Sequence, residues 1–208
     1  MESLFQSAAE ATAAGARPGE VASLWFAGER SDFVRLNRAK VRQAGTVEQA
    51  YARLHLIDGR RHAESTLTLT GGPDDRALIA AELDELRAVV RAAPEDPHLV
   101  YETAPGASRT VRRATLPKSE EAVAATLDAA GDVDLVGFYM AGSVYRGFAS
   151  SLGQSHWHEI ESFSLDWSLY ERADKAVKTS YAGFDWSGDE LARRMEQARA
   201  QKAALARP

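Results

Sequence analysis

The stretch Ser155–Glu171, "SHWHEIESFSLDWSLYE", decides how the chain is read. Phe163, Leu165, Trp167 and Leu169 alternate with Ser164, Asp166 and Ser168, the period-two pattern of a strand with one dry face and one wet face. Carried backward, the same parity puts His156, His158 and Ile160 on one face and Trp157, Glu159 and Glu161 on the other. Two imidazoles on one face could share a metal. The glutamates point away from them, however, and a catalytic zinc normally takes three protein ligands. A helical zinc-peptidase motif would need a second histidine about one turn after His158-Glu159, where Ile160, Glu161, Ser162 and Phe163 stand instead. His156 and His158 are thus the candidate metal ligands, set against the reading that the periodicity favours: a solvated or interface-facing strand surface. No catalytic or cofactor-binding residue is assigned.

Outward from this strand the β pattern continues. "VDLVGFYMAG" (133–142) and "SVYRGFAS" (143–150) are strand candidates leading into the turn "SSLGQ" (150–154). Nearer the N-terminus, "EVASLWFAGE" (20–29) reads as a strand ending in a glycine-containing turn before "SDFVRLNRAKVRQ" (31–43). "YARLHLIDGRRHAESTLTLT" (51–70) reads as a hairpin: Leu54 and Leu56 face one way, Tyr51, Arg53 and His55 the other, with Asp58-Gly59 at the tip. Thr66, Thr68 and Thr70 alternate with Leu67 and Leu69, so four antiparallel strands are expected between residues 20 and 70.

Helices are expected at both ends and between the β regions. Residues 1–14 are alanine-rich, with Leu4, Ala8 and Ala11 at helical spacing before the breaker "GARPG" (15–19). In 71–97, Ile79, Leu83, Leu86 and Val90 form one apolar stripe, Asp74 and Asp75 suit the positive end of the helix dipole, and Pro94 and Pro97 end the helix. "PKSEEAVAATLDAAGD" (117–132) is a short helix stopped by Gly131. The last, from Trp186, has a Ser187/Glu190 capping box and a thin stripe of Leu191, Met195 and Ala198. That stripe fits either a partner surface or a half-exposed helix. Residues 98–116 have weak periodicity and read as an exposed connector. The expectation is an α+β protein of two sub-domains, each a mainly antiparallel sheet with helices on one face. They are 1–97 and 118–208, joined by a connector at 98–117.

Composition narrows the function classes. The 208 residues are 45% hydrophobic and 26% charged, with no cysteine and a net charge of −5. Thiol nucleophiles, disulfides and thiolate metal sites are excluded, and nucleic acid gains no general electrostatic attraction. No apolar run is long enough for a membrane span, and the N-terminus lacks a signal-peptide pattern, so a cytoplasmic protein is expected. A serine triad built from Ser150 or Ser151 with His156 or His158 has no Gly-x-Ser-x-Gly elbow around it. "GRRH" (59–62) follows a hairpin tip, where charged residues are ordinarily solvated. Trp25, Trp157, Trp167 and Trp186 read as core or interface anchors rather than a base-stacking platform.

The order of three of these stretches resembles the N-terminal half of the TldD/PmbA proteins, zinc metallopeptidases also described as modulators of DNA gyrase. "SDFVRLNRAKVRQAG", with Phe33, Asn37, Val41 and Gln43, is similar to the family's early strand pair. "ARLHLIDGRRHAEST" resembles the hairpin that follows. "GFYMAGSVYRGFASSLGQSHWHEIESFSLDWS" resembles paired strands meeting at an Ala-Asn-Ser-x-Gly turn, although Ser150 replaces the asparagine. The family's zinc sits on a His-Glu-x-x-x-His helix in a C-terminal domain, a motif this sequence lacks, so none of its metal ligands carries over. The resemblance therefore implies the N-terminal, non-catalytic portion of such a protein, whether part of a longer chain or a natural short form. It would bind unfolded peptide, form a homo- or hetero-dimer with a family member, and be inactive alone, with zinc belonging to the full-length family. The competing expectations are a stand-alone regulator linked to DNA gyrase and an independent hydrolase using His156 or His158.

Overall fold

The computed structural model describes residues 1–172 and 174–205. Seven strands pair in the order β3-β2-β1-β5-β6-β4, with β7 also pairing β6. The strands are β1 (Glu20–Asn37), β2 (Lys40–Asp58), β3 (Arg61–Thr68), β4 (Gly106–Arg112), β5 (Leu135–Ser150), β6 (Gln154–Arg172) and β7 (Lys175–Gly183). The helices are α1 (Glu2–Gly15), α2 (Asp75–Ala92), α3 (Ser119–Ala130) and α4 (Gly188–Leu205). This is the expected α+β class with an antiparallel sheet.

The strands differ from expectation in length and number. Residues 20–37 form one strand, because Gly28 sits inside β1 rather than at a turn. Residues 135–150 are likewise continuous through Gly142. Three strands rather than four therefore occupy 20–68. The expected connector at 98–117 contains β4, and β7 had no sequence expectation at all.

Two compact units emerge, and they do not follow chain order. Unit 1 gathers Met1–Glu29, Glu48–Val111 and Val144–Glu159; unit 2 gathers Arg30–Val47, Arg112–Ser143 and Ile160–Pro208. The boundary expected at 98–117 divides the sequence serially, whereas β1, β2, β5 and β6 each give a segment to both units.

In unit 1, α1 and α2 cover one sheet face. Phe5 and Ala8 of α1 and Ile79 and Leu83 of α2 pack with Leu24, Phe26, Leu54, Leu56 and Trp157. Burying side chains of this size contributes roughly 2 kcal/mol each. Gly147 makes the fit of α1 possible: a Cβ there would lie 2.6 Å from the Phe5 ring. Arg87 of α2 is buried and donates to Glu20 at 2.8 Å, to Asp84 at 2.6 Å, and to the Gly15 carbonyl at the end of α1. The hairpin tip places Gly59 (φ 61) in a two-residue loop closed by the Asp58–Arg61 pair. Asp58 is therefore the last strand residue rather than part of the loop.

In unit 2, Leu135, Tyr139, Phe163, Leu165, Trp167 and Leu169 pack against Ala122 and Val123 of α3 and Leu191, Met195 and Ala198 of α4. The expected dry face of β6 is thus its helix-covered face. In β7, Tyr181 pairs with Leu165 and Thr179 with Trp167. Half of the expected Ser187/Glu190 capping box forms, with the Glu190 N–H donating to Ser187 Oγ at 3.3 Å. The Ser187 N–H goes to Tyr181 Oη at 2.8 Å instead. The Glu190 carboxylate accepts from Arg193 and Arg194, which hold its pKa down at about 2.

Candidate functional site

The parity that buries Trp157 turns the other face of unit 1's strands outward. There Trp25 of β1 meets Phe148 of β5 with ring centroids 4.9 Å apart. Phe148 in turn stacks against His156 of β6 at 6.4 Å. Arg53 of β2 lies over the Trp25 ring at 5.9 Å, within the range of a cation–π contact. Trp25 is 52% exposed despite its size. A shallow depression of about 190 Å³ lies on this face, lined by Trp25, Ser108, Thr110, Arg146, Phe148 and His156 among others.

His156 and His158 are placed as the alternation required: both lie off the core face, with His158 exposed and His156 half-buried. Ser108 of β4 lies 2.8 Å from His156 Nδ1. The two serines considered from sequence are engaged elsewhere. Ser150 Oγ donates to Gln154 Oε1 at 2.7 Å, and Ser151 Oγ accepts the Ala22 N–H at 3.1 Å. Ser108 escaped sequence reasoning because it is 48 residues from His156, on a strand whose side chains are nearly all exposed. Its one available signal was the hydroxyl pair Ser108 and Thr110 at strand spacing.

Chemically, this face can do two things. Its aromatic rings and Arg53 offer apolar and cation–π contacts to a flat or extended ligand. The Ser108–His156 pair has the spacing of a nucleophile and a base. A zinc of the kind the resemblance implies does not fit the described residues: no three His, Cys, Asp or Glu side chains converge as a metal site among them. The Trp157 indole N–H, on the core side of the same strand, is buried without a hydrogen-bond partner.

Two edges flank unit 1's strands. β3 and β4 end the pairing order, and β4 is a short, exposed strand. An edge strand presents unpaired backbone N–H and C=O groups to any extended chain that lies beside it.

Comparison with solved structures places this architecture. TldE from Thermococcus kodakarensis superposes with a TM-score of 0.67 at 14% identity, covering 95% of this chain and 46% of its own. The chain has the fold of the solved TldD/PmbA proteins. A candidate modulator of DNA gyrase from Thermotoga maritima gives a TM-score of 0.67 at 11% identity, with 95% and 47% coverage. Another from Bacteroides thetaiotaomicron gives 0.62 at 11%, with 94% and 49%. This chain therefore spans about half the length of those TldD/PmbA-fold chains. No family model matches the sequence, and no curated protein does.

Proposed function

We propose that this chain is the peptide-binding and dimerisation portion of a TldD/PmbA-like metallopeptidase assembly, with bond cleavage carried out by residues outside it. The observation that carries the reading is the near-complete coverage of this chain by a fold that takes up about half of TldE. The donor set supports it, since no three-ligand cluster is found among the described residues. In this reading an unfolded peptide adds alongside β4 through main-chain hydrogen bonds, which tolerate varied sequence. A further stretch of the same peptide crosses the outward face to rest on Phe148 and Trp25, two and three strands inward of β4 in the pairing order. Zinc belongs to the rest of the assembly and is not held here.

The test is fluorescence-anisotropy titration of the chain with a dye-labelled unstructured peptide, together with a peptide-cleavage assay of the chain alone. Binding that Trp25→Ala weakens several-fold, with no cleavage, is the expected outcome. Cleavage by the isolated chain, or binding indifferent to Trp25→Ala, overturns it.

The 2.8 Å contact of Ser108 with His156 Nδ1 favours a second reading, an independent hydrolase. It requires ester or peptide hydrolysis that Ser108→Ala and His156→Ala both abolish while leaving the circular dichroism spectrum unchanged. A gyrase-linked role, the description attached to two of the similar structures, would instead appear as altered supercoiling by gyrase when the chain is added.

A further inference from the structure

A second imidazole pair lies in unit 1, away from the aromatic face's histidines. His55 of β2 and His62 of β3 meet with Nε2 of the first 2.9 Å from Nδ1 of the second. His62 Nε2 lies 3.3 Å from Asp96 Oδ2. Asp96 is itself fixed: its N–H donates to the Arg60 carbonyl at the hairpin tip, and its Oδ1 accepts the His98 N–H at 2.8 Å. One carboxylate oxygen is thereby left for His62. Donation from His62 Nε2–H to that oxygen settles the tautomer and leaves Nδ1 as a bare lone pair aimed at His55. A histidine oriented by a carboxylate through its far nitrogen is the standard support of a metal-binding imidazole.

We propose that His55 Nε2 and His62 Nδ1 together bind a divalent transition metal, with Asp96 as the positioning residue behind His62. The ligand type selects the cation: at an imidazole site, affinity rises along the divalent first-row series to Cu(II), with Ni(II) next, and falls at Zn(II), and both of the former accept two cis nitrogens. Binding needs His55 to carry its proton on Nδ1 and each ring to turn by roughly 45°, so that the two lone pairs meet at the ion rather than at each other. Both rings are only partly buried, which leaves them room to turn. Water fills the remaining positions. Glu64, directly across the ladder from His55, adds negative charge, and Arg53, 3.8 Å from Glu64, offsets part of it. The proposal rests on neither the peptide-binding reading nor the family's zinc, although Arg53 borders both this pair and the Trp25 ring.

The experiment is titration of the full chain at pH 7.5 with CuCl2 and, separately, NiCl2 and ZnCl2, followed by calorimetry. Electron paramagnetic resonance of the copper form counts the bound nitrogens. One Cu(II) per chain with two imidazole nitrogens, bound more tightly than Zn(II), is expected. His55→Gln and His62→Gln should each abolish that stoichiometric binding, and Asp96→Asn should weaken it about 10- to 100-fold. Circular dichroism confirms that each variant is folded. The proposal is overturned if no stoichiometric copper binds, if binding survives the two glutamine substitutions, or if it disappears in His156→Ala/His158→Ala instead. Unchanged affinity in Asp96→Asn removes the positioning role.

Discussion

Unit 1 and unit 2 differ in whether they bury charge, although each leaves an indole N–H unpaired, Trp157 in the first and Trp167 in the second. The buried charged residues among those described, Asp75, Arg87 and Glu159, all belong to unit 1. Arg87 is surrounded by acceptors: both oxygens of Glu20, Asp84, and the carbonyl that ends α1. Asp75 accepts from the Thr70 and Gly71 N–H groups and the Thr70 hydroxyl. Unit 2 buries no charge among the described residues, yet leaves Tyr139 Oη and Trp167 Nε1 without hydrogen-bond partners. The lesson is that a buried charge survives where several partners converge on it, whereas a single hydroxyl or indole N–H can be left unpaired at modest cost.

The comparison can be broken from its strongest side first. Removing the Arg87 guanidinium leaves a nearly buried Glu20, with its side chain 11% exposed, and the α1 carbonyl without their donor. Arg87→Met should therefore lower stability by about 3 kcal/mol, read as a fall in the urea midpoint. An effect under about 1 kcal/mol would mean the pair breaks even.

Acid probes the same pair from the other partner. The Arg87 hydrogen bond holds the Glu20 carboxyl below its ordinary value of 4.5. Burial pushes the other way, while the Arg17 backbone N–H and the charges of Arg87 and Arg17 also lower it. A depressed folded-state pKa means that the stabilisation is fully present above 4.5 and is lost as pH falls through the lower folded value. Glu20→Gln should flatten that part of the acid unfolding curve. An unaltered curve counts against the linkage. For contrast, the half-buried Glu190 carboxyl, held down by the Arg193 and Arg194 hydrogen bonds, should titrate near 2 by carbon NMR.

Unit 2 should respond in the opposite sense. The Tyr139 hydroxyl, buried and pushed up to about 12 chiefly by desolvation, has no partner to lose. Tyr139→Phe should raise stability by about 1 kcal/mol; a loss of stability would reveal a partner for the hydroxyl. The smallest effect concerns the β1–β2 turn, where Arg38 and Ala39 hold φ angles of 52° and 51°. Arg38→Asn puts a residue tolerant of left-handed backbone there and should stabilise by roughly 0.5 kcal/mol in thermal unfolding.

What the sequence disclosed depended on exposure. Strand β6 and helix α2 were legible because each has one buried face, which writes its period into the residues. Strand β4 was not, since its side chains are nearly all exposed and impose little pattern, and β7 was not, since its covered face is mostly half-buried, with Tyr181 its one fully buried residue. Glycine misled in the other direction: Gly28 suggested a turn but lies inside a long strand. The outward placement of His156 and His158 followed from parity, whereas their neighbour Ser108 did not, because strand pairing rather than sequence brings it close. The "GRRH" stretch was set aside as solvated, yet His62 meets both His55 and Asp96, 34 residues away.

The interleaving of the two units has a practical consequence for anyone dissecting this protein. The chain passes between them at five peptide bonds, after Glu29, Val47, Val111, Ser143 and Glu159. No contiguous gene fragment encodes either unit, and every exchange of one unit for a homologous counterpart needs all five junctions rebuilt together.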